Sequence, residues 1–287
     1  MKSDFPAGPS SMEPMSLEFR PGAIEPLLEL AQVFFNRSLS VYNRINNAER
    51  ESLVRLRLAD QCFQSNVIEG VHLSFQDVAA ALKNQGGVKT LAKAHINASR
   101  WADRADLRSM GISQFLLTCH EVFVSGLPDE LCSLRGTRIQ IEPGQWREID
   151  VQVGHHTPPR AQDVRRCMDR FEEVYSPFLT RPMTGKDQLM AIVHGFIAHH
   201  RLVWIHPFSD FNGRVSRIFL DKWLSACQVP GMDTWTASAG FGRDGGVRYM
   251  SMLHNADQPR QGALDGRGNL TEKGLVDFVR FCLESAY

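Results

Sequence analysis

His206-Pro-Phe-Ser-Asp-Phe-Asn-Gly-Arg-Val-Ser-Arg217 joins two helical patterns and decides how the chain is read. Before it, residues 186–204 carry Leu189, Ile192, Val193, Phe196 and Ile197 on one face. Pro207 disfavours the α conformation at His206, so this first helix must stop there. After it, residues 212–226 carry Val215, Ile218, Phe219, Leu220, Trp223 and Leu224. That apolar arc is wide enough for a helix buried in a bundle. The first amides of such a helix lack intrahelical partners, and with the helix dipole they favour an anion. Gly213 lets the backbone approach a ligand closely. Arg214 and Arg217 are neighbours on one helix face, and their planar donors suit phosphate oxygens. Asp210 offers the hard carboxylate that Mg²⁺ prefers. His206 is a general-base candidate near neutral pH. Together these parts suffice for phosphoryl-type transfer from a magnesium-bound nucleotide. A core histidine and two surface arginines would account for each residue singly, but give no reason for the ordered set.

The rest of the chain supplies a helical frame. Helical spacing predicts helices over residues 26–43, 48–69, 75–82, 89–108, 112–124, 161–171 and 272–285. Ser74 with Asp77 and Thr271 are the expected N-caps, and Gly70 the expected C-cap. Residues 84–88 read as a loop, as does the glycine-rich stretch 237–246. Between the helices, residues 136–141 and 147–153 alternate around Glu142-Pro143-Gly144 and predict a small β-hairpin. The expected fold is therefore an all-α bundle with one hairpin. Its organisation is a disordered Ser/Pro/Met-rich lead-in over 1–20, a helical region over 21–110 and a core over 111–287.

The 287 residues hold 32 Lys and Arg against 32 Asp and Glu, so no global field draws the chain to nucleic acid or an anionic membrane. No run of about 20 apolar residues is present, so no membrane span is expected. The six cysteines lack CxxC spacing and read as reduced core thiols in a cytoplasmic protein. His194, His199, His200 and His206 do not share one helix face, so they predict no zinc site.

The 206–217 segment resembles the Fic motif, His-x-Phe-x-Asp/Glu-Gly-Asn-Gly-Arg-x-x-Arg, at His206, Phe208, Asp210, Asn212, Gly213, Arg214 and Arg217. The resemblance implies a protein adenylyltransferase, which moves AMP from ATP to a Ser, Thr or Tyr hydroxyl of a target protein. It also implies roles. His206 would deprotonate the hydroxyl, and Asp210 would hold Mg²⁺ on the phosphates. Asn212 and the Gly213 amide would line the anion hole. Arg214 would bind the β- and γ-phosphates, Arg217 would meet the γ-phosphate, and Phe208 would anchor the loop by packing. Phe211 stands where the family usually has glycine. A positive φ would be costly there for phenylalanine. With an ordinary backbone its amide would still donate to the nucleotide and only the side chain would need room, and this is the expectation.

Two further stretches resemble the same family. Gly144-Gln-Trp-Arg147 through Val151-Gln-Val-Gly154 is similar to the flap over the Fic active site. It implies target binding by strand addition along Trp146, Arg147, Val151, Gln152 and Val153. Ser65-Asn-Val-Ile-Glu69-Gly70 resembles the inhibitory motif, Ser/Thr-x-x-x-Glu-Gly/Asn, ahead of the catalytic core. Ser65 and Glu69 lie one helical turn apart, and the resemblance implies that Glu69 pairs with Arg217 and displaces the γ-phosphate. Arg248-Tyr249-Met250 is similar to the helix beside the adenosine pocket, which makes Tyr249 a nucleotide contact. The implied partners are ATP and a protein target, with this chain itself one candidate and a homo-oligomer compatible. Family members of this layout often continue into a winged-helix domain. Two alternatives stay open: a hydrolase that removes AMP with Glu69 positioning water, and a non-catalytic nucleotide-sensing or interaction module.

Overall fold

The computed structural model describes residues 8–83, 89–134, 137 and 139–286. The expected loop over 84–88, residues 136 and 138 of the expected hairpin and residues 1–7 of the expected lead-in lie outside them. A 3-10 turn, Pro9–Met12, precedes twelve α-helices among the described residues. They are α1 Pro21–Tyr42, α2 Asn47–Ile68, α3 Phe75–Leu82, α4 Leu91–Arg104, α5 Leu107–Met110 and α6 Ile112–Ser125. After a long connection come α7 Ala161–Thr180, α8 Gly185–Ile205, α9 Asn212–Ala226, α10 Ala237–Phe241, α11 Val247–Ala256 and α12 Glu272–Ser285. The caps follow local chemistry: Ser74 Oγ accepts from Asp77 N at 3.1 Å, and Thr271 Oγ1 accepts from Gly274 N at 3.0 Å. Asn46 and Glu49 form a full capping box at α2.

Helices α8 and α9 form the centre. Val193, Phe196 and Ile197 of α8 and Val215, Phe219, Leu220 and Trp223 of α9 are all fully buried. Gly195 makes their close approach feasible, because a Cβ there would lie 2.3 Å from Trp223 Cδ1. The Trp223 indole N–H in turn donates to Ala191 O at 2.8 Å. Around this pair one core runs from Met12 to Ala286. It joins helices on both sides of residue 110, where the sequence suggested a division. A smaller cluster of Cys62, Val78, Ala81, Ala92 and Ile96 binds α2, α3 and α4 together. Five of the six cysteines are buried and all six are free.

The expected disordered lead-in is corrected for residues 8–20. Met12, Met15 and Leu17 are buried in the core. Arg201 donates to Pro14 O through Nε and Nη2 at 3.2 and 2.9 Å, and Tyr175 Oη donates to Met15 O at 2.8 Å. Composition suggested disorder, but three apolar side chains and these backbone bonds strap the segment down. The stretch expected as one helix over 89–108 breaks in two, because Asp106 caps a new turn by accepting from Arg108 N and Ser109 N.

The expected hairpin pairing does not form among the described residues. Gln140 bridges back to Ser133 instead, with Ile141 N donating to Cys132 O at 2.8 Å. At the far end Val153 and His156 close a tight turn on each other around Gly154, which has φ 56°. Between them, no backbone–backbone hydrogen bond involves residues 148–152 among the described residues. The alternating pattern was present, but loop contacts replaced the ladder it suggested. No described helix is long and apolar enough to cross a membrane.

Helix propensity favours alanine over glycine at residue 195 by about 1 kcal/mol. Displacing the buried Trp223 ring costs about 1–3 kcal/mol. Gly195→Ala is therefore expected to lower stability on balance, read as a lower urea midpoint at unchanged slope.

Candidate active site

The site is the α8–α9 turn, and two left-handed residues shape it. His206 ends α8 at φ 51° and ψ 61°, and Phe211 opens α9 at φ 62° and ψ 11°. Directly after Phe211, Asn212 makes a two-bond clasp. Its Oδ1 accepts from Phe208 N and its Nδ2 donates to Phe208 O, both at 2.8 Å. The Asn212 side chain is thereby committed to closing the loop, so lining an anion hole falls to backbone. Phe208 is buried, stacked on His120 at 4.0 Å and against Trp146 at 5.0 Å. The first helical amide bond of α9 is Val215 N to Phe211 O at 3.0 Å, so the amides before it are those that face the turn.

The positive φ at Phe211 overturns the expectation of ordinary backbone. The left-handed conformation costs a residue with a Cβ about 1–2 kcal/mol. The ring offsets this by burial, being only 7% exposed, against Phe123 at 5.1 Å. Arg214 Cζ stands 5.3 Å from its centroid on another side. Burying an aromatic side chain contributes about 1.5–3 kcal/mol, enough to hold the strain.

Opposite this turn lies the tip of α2. Val71 N donates to Asn66 O and Gly70 N to Val67 O, both at 2.9 Å, with Gly70 at φ 71°. This is the left-handed glycine cap that stops a helix, and it leaves Glu69 at the very end of α2. A carboxylate at a helix C-terminus is disfavoured by the dipole, and one at an N-terminus is favoured. Glu69 reaches across to the second kind of end. Its Oε1 accepts from Arg217 Nη2 at 2.6 Å, and a Cβ on Gly213 would lie 2.1 Å from the same oxygen. Desolvation raises the Glu69 pKa, but the charges of Arg217 and Arg214 and the Arg217 hydrogen bond outweigh it, and the net shift is down. Ser65 joins the contact: Arg217 Nε donates to Ser65 Oγ at 2.8 Å and Nη2 to Ser65 O at 2.9 Å.

The structure thus brings His206, Asp210, Gly213, Arg214, Arg217, Ser65 and Glu69 to one place. Arg214 and Arg217 are both buried. Burial lowers the His206 pKa to about 4, helped by the charges of His156 and Arg147, while Glu69 and the Val203 carbonyl oppose the shift. The imidazole is therefore neutral at neutral pH. Its Nδ1 is buried without a hydrogen-bond partner, and a proton on that nitrogen would leave the Nε2 lone pair for a base to use. Asp210 Oδ1 accepts from Phe211 N at 2.5 Å, which leaves Oδ2 for a cation. No group of three ligands able to hold a metal exists among the described residues. One carboxylate beside a phosphate cradle is the kind of donor set Mg²⁺ uses, with substrate oxygens and water completing its shell.

Other expected residues have different surroundings. Tyr249 is buried, stacked on Phe241 at 4.8 Å, and its hydroxyl lies 2.8 Å from His199 Nε2. His199 Nδ1 faces Ser216 O at 3.1 Å. A carbonyl only accepts, so Nδ1 carries the proton and Nε2 accepts from Tyr249. Tyr249 therefore braces α9 through His199, and its hydroxyl also interacts with the Arg217 guanidinium. Arg147 is also buried, at 3% exposure, and donates to backbone carbonyls, so it does not lie on an open flap edge. Trp146 is partly buried on Phe208, while Gln152 is exposed and Val151 and Val153 partly so. Two contributors carried no readable signal. Asn66 Oδ1 accepts from Arg214 Nε at 2.8 Å, although as the neighbour of Ser65 it stands about 100° round the helix from it. His120, held neutral with a pKa near 4 by burial, accepts from Gly144 N at 3.1 Å under the loop.

With this geometry in view, the relatives are coherent. Residues 114–224 match the family model described as the Fic/DOC family, so the chain carries a Fic domain. A stretch is 37% identical over 93 residues to the protein adenylyltransferase Fic of Culex quinquefasciatus, covering 31% of this chain and 17% of that protein. The Drosophila grimshawi protein of the same name is 37% identical over 90 residues. The chain thus matches only about a sixth of these relatives' length. A Fic family structure from Desulfovibrio desulfuricans aligns over 98% of this chain and 74% of its own, with a TM-score of 0.60 at 19% identity. Fic-1 of C. elegans aligns over 91% and 68%, with a TM-score of 0.58 at 17% identity. These two establish the shared fold. The Glu69 segment lies outside the matched family region.

Phe211→Ala and Phe211→Gly both remove the ring, at about 3–5 kcal/mol for a buried aromatic. Only glycine relieves the positive φ, so it is expected to be the milder by about 1–2 kcal/mol. Chemical denaturation of the pair checks the order.

Proposed function

We propose that this chain is a protein adenylyltransferase whose own Glu69 holds it inactive. The observation that carries the reading is the Glu69 carboxylate seated on Arg217 against the first turn of α9. That turn has amides, a favourable dipole and two buried guanidiniums, so an anionic group is what it selects. Relatives with the matching region are named protein adenylyltransferases, which favours ATP as the anion's source.

In this reading Arg214, Arg217 and the amides of Asn212 and Gly213 bind the triphosphate. Asp210 would hold Mg²⁺, which neutralises phosphate charge. His206 Nε2 takes the proton of a target hydroxyl. The hydroxyl oxygen then bonds the α-phosphorus as its bond to the β-phosphate oxygen breaks, and pyrophosphate leaves. The backbone of residues 148–152, which makes no backbone–backbone hydrogen bond among the described residues, supplies the edge along which an extended target segment adds, with Trp146, Val151, Gln152 and Val153 on or beside it. Its start is tethered to the catalytic loop, because Arg147 N donates to Pro207 O at 2.8 Å. Glu69 competes for the Arg217 donors that a γ-phosphate needs. A nucleotide displaced by about 1 Å loses around a hundredfold in rate.

Labelling with α-³²P ATP tests this. Glu69→Gly should raise AMP incorporation into target or self by about a hundredfold, and His206→Ala in that background should abolish it. Equal labelling of Glu69→Gly and the parent would remove the brake. AMP release from modified protein by the parent would instead favour hydrolysis. The pH dependence has a defined sign. A base whose pKa is lowered to about 4 stays unprotonated through neutral pH, so transfer should be flat there and fall only as the pH approaches 4. Removing Glu69 takes away one influence that raises this pKa, which moves the acid limb lower still.

A further inference from the structure

His206 occupies a left-handed backbone conformation that a residue with a Cβ avoids unless its surroundings impose it. The surroundings that impose it converge on one side chain. Arg147 Nε donates to His206 O at 2.8 Å, and Nη2 reaches Ile205 O at 3.5 Å. The Arg147 backbone N donates to Pro207 O at 2.8 Å. Three consecutive carbonyls, 205 to 207, thus face one residue. The remaining donors anchor that residue from behind, with Nη1 on Ile149 O at 2.9 Å and Nη2 on Pro159 O at 2.5 Å. A helix end normally leaves its last carbonyls to water or to a cap. Here a guanidinium serves as the cap of α8, and its rigid fork spans several acceptors where an ammonium would reach fewer. With the side chain 3% exposed, no donor faces a target or a phosphate. Burial lowers the Arg147 pKa to about 10, so the cation persists at neutral pH.

We propose that Arg147 is a positioning residue for His206, fixing the carbonyls of residues 205–207 so that the imidazole faces the target hydroxyl. The inference rests on the reading of His206 as the general base. It assigns Arg147 to the geometry of proton removal, separate from nucleotide binding by α9 and from target docking along residues 148–152.

The test places Arg147→Gln and Arg147→Lys in the Glu69→Gly background and adds a readout independent of activity, the ¹⁵N-detected imidazole signals of His206, assigned by their loss in His206→Asn. Arg147→Gln should lower kcat for AMP transfer by about a hundredfold while changing KM for ATP by less than about twofold. Its His206 signals should shift or broaden. Arg147→Lys should recover part of kcat, since an ammonium still donates to some of the carbonyls, and it decides the matter if the glutamine variant does not fold. Unchanged His206 signals in a folded variant would overturn the proposal. So would an effect confined to KM for the target, which would return Arg147 to target binding, or equal losses in ATP affinity and kcat, which would mark a purely structural residue. If the Glu69→Gly parent itself transfers no AMP, the transferase reading fails, and the His206 signals still decide what Arg147 does.

Discussion

The two-bond clasp between Asn212 and the Phe208 backbone is the constraint on which the rest of the turn depends. It closes the loop between α8 and α9 and leaves that loop no freedom to relax its left-handed residues. With the loop closed, α9 starts at a fixed point in space and its first amides point one way. The two guanidiniums follow one turn later, because they ride on the same helix. The bundle core supports this arrangement from below through Gly195 and Trp223, and the His199–Tyr249 pair supports it from behind.

Two helix ends of opposite polarity meet at this turn. The C-terminus of α2 and the N-terminus of α9 face each other, and Glu69 lies between them. Its position follows from Gly70, since the left-handed glycine stops α2 one residue after the carboxylate. Moving the acid itself by one residue along α2 would rotate its side chain by roughly 100° about the helix axis and take it off Arg217. The Glu-Gly order therefore ends α2 just past the acid, and the acid's place along the helix sets where it points.

Much of this was legible in the residues. The helices over 75–82, 212–226 and 272–285 were readable to their ends: Ser74 and Thr271 cap the first and last, and apolar spacing bounds the middle one. The convergence of His206, Asp210, Arg214 and Arg217 was readable because turn and helix fix their relative places within twelve residues. Contacts between distant segments were not readable. Nothing in Trp146-Arg147 shows whether the guanidinium faces solvent or backbone carbonyls. The alternation over 136–153 suggested a ladder, yet the choice among bridging back to Ser133, bonding Pro207 or turning on His156 depends on the packed loops. The lead-in was misjudged for a related reason. Its three buried side chains are sparse in sequence and gain meaning only from the groove that receives them. Phe211 was misjudged because a positive φ leaves no trace in composition when burial offsets its cost.

Ser65 holds Arg217 through the guanidinium Nε and through a backbone carbonyl, two contacts that do not involve Glu69. The cation is therefore kept aimed by one residue and neutralised by another. Withdrawal of the carboxylate would leave the guanidinium preorganised, with little side-chain entropy still to lose when another anion arrives. Such a lock can be lifted without loosening the fitting it covers.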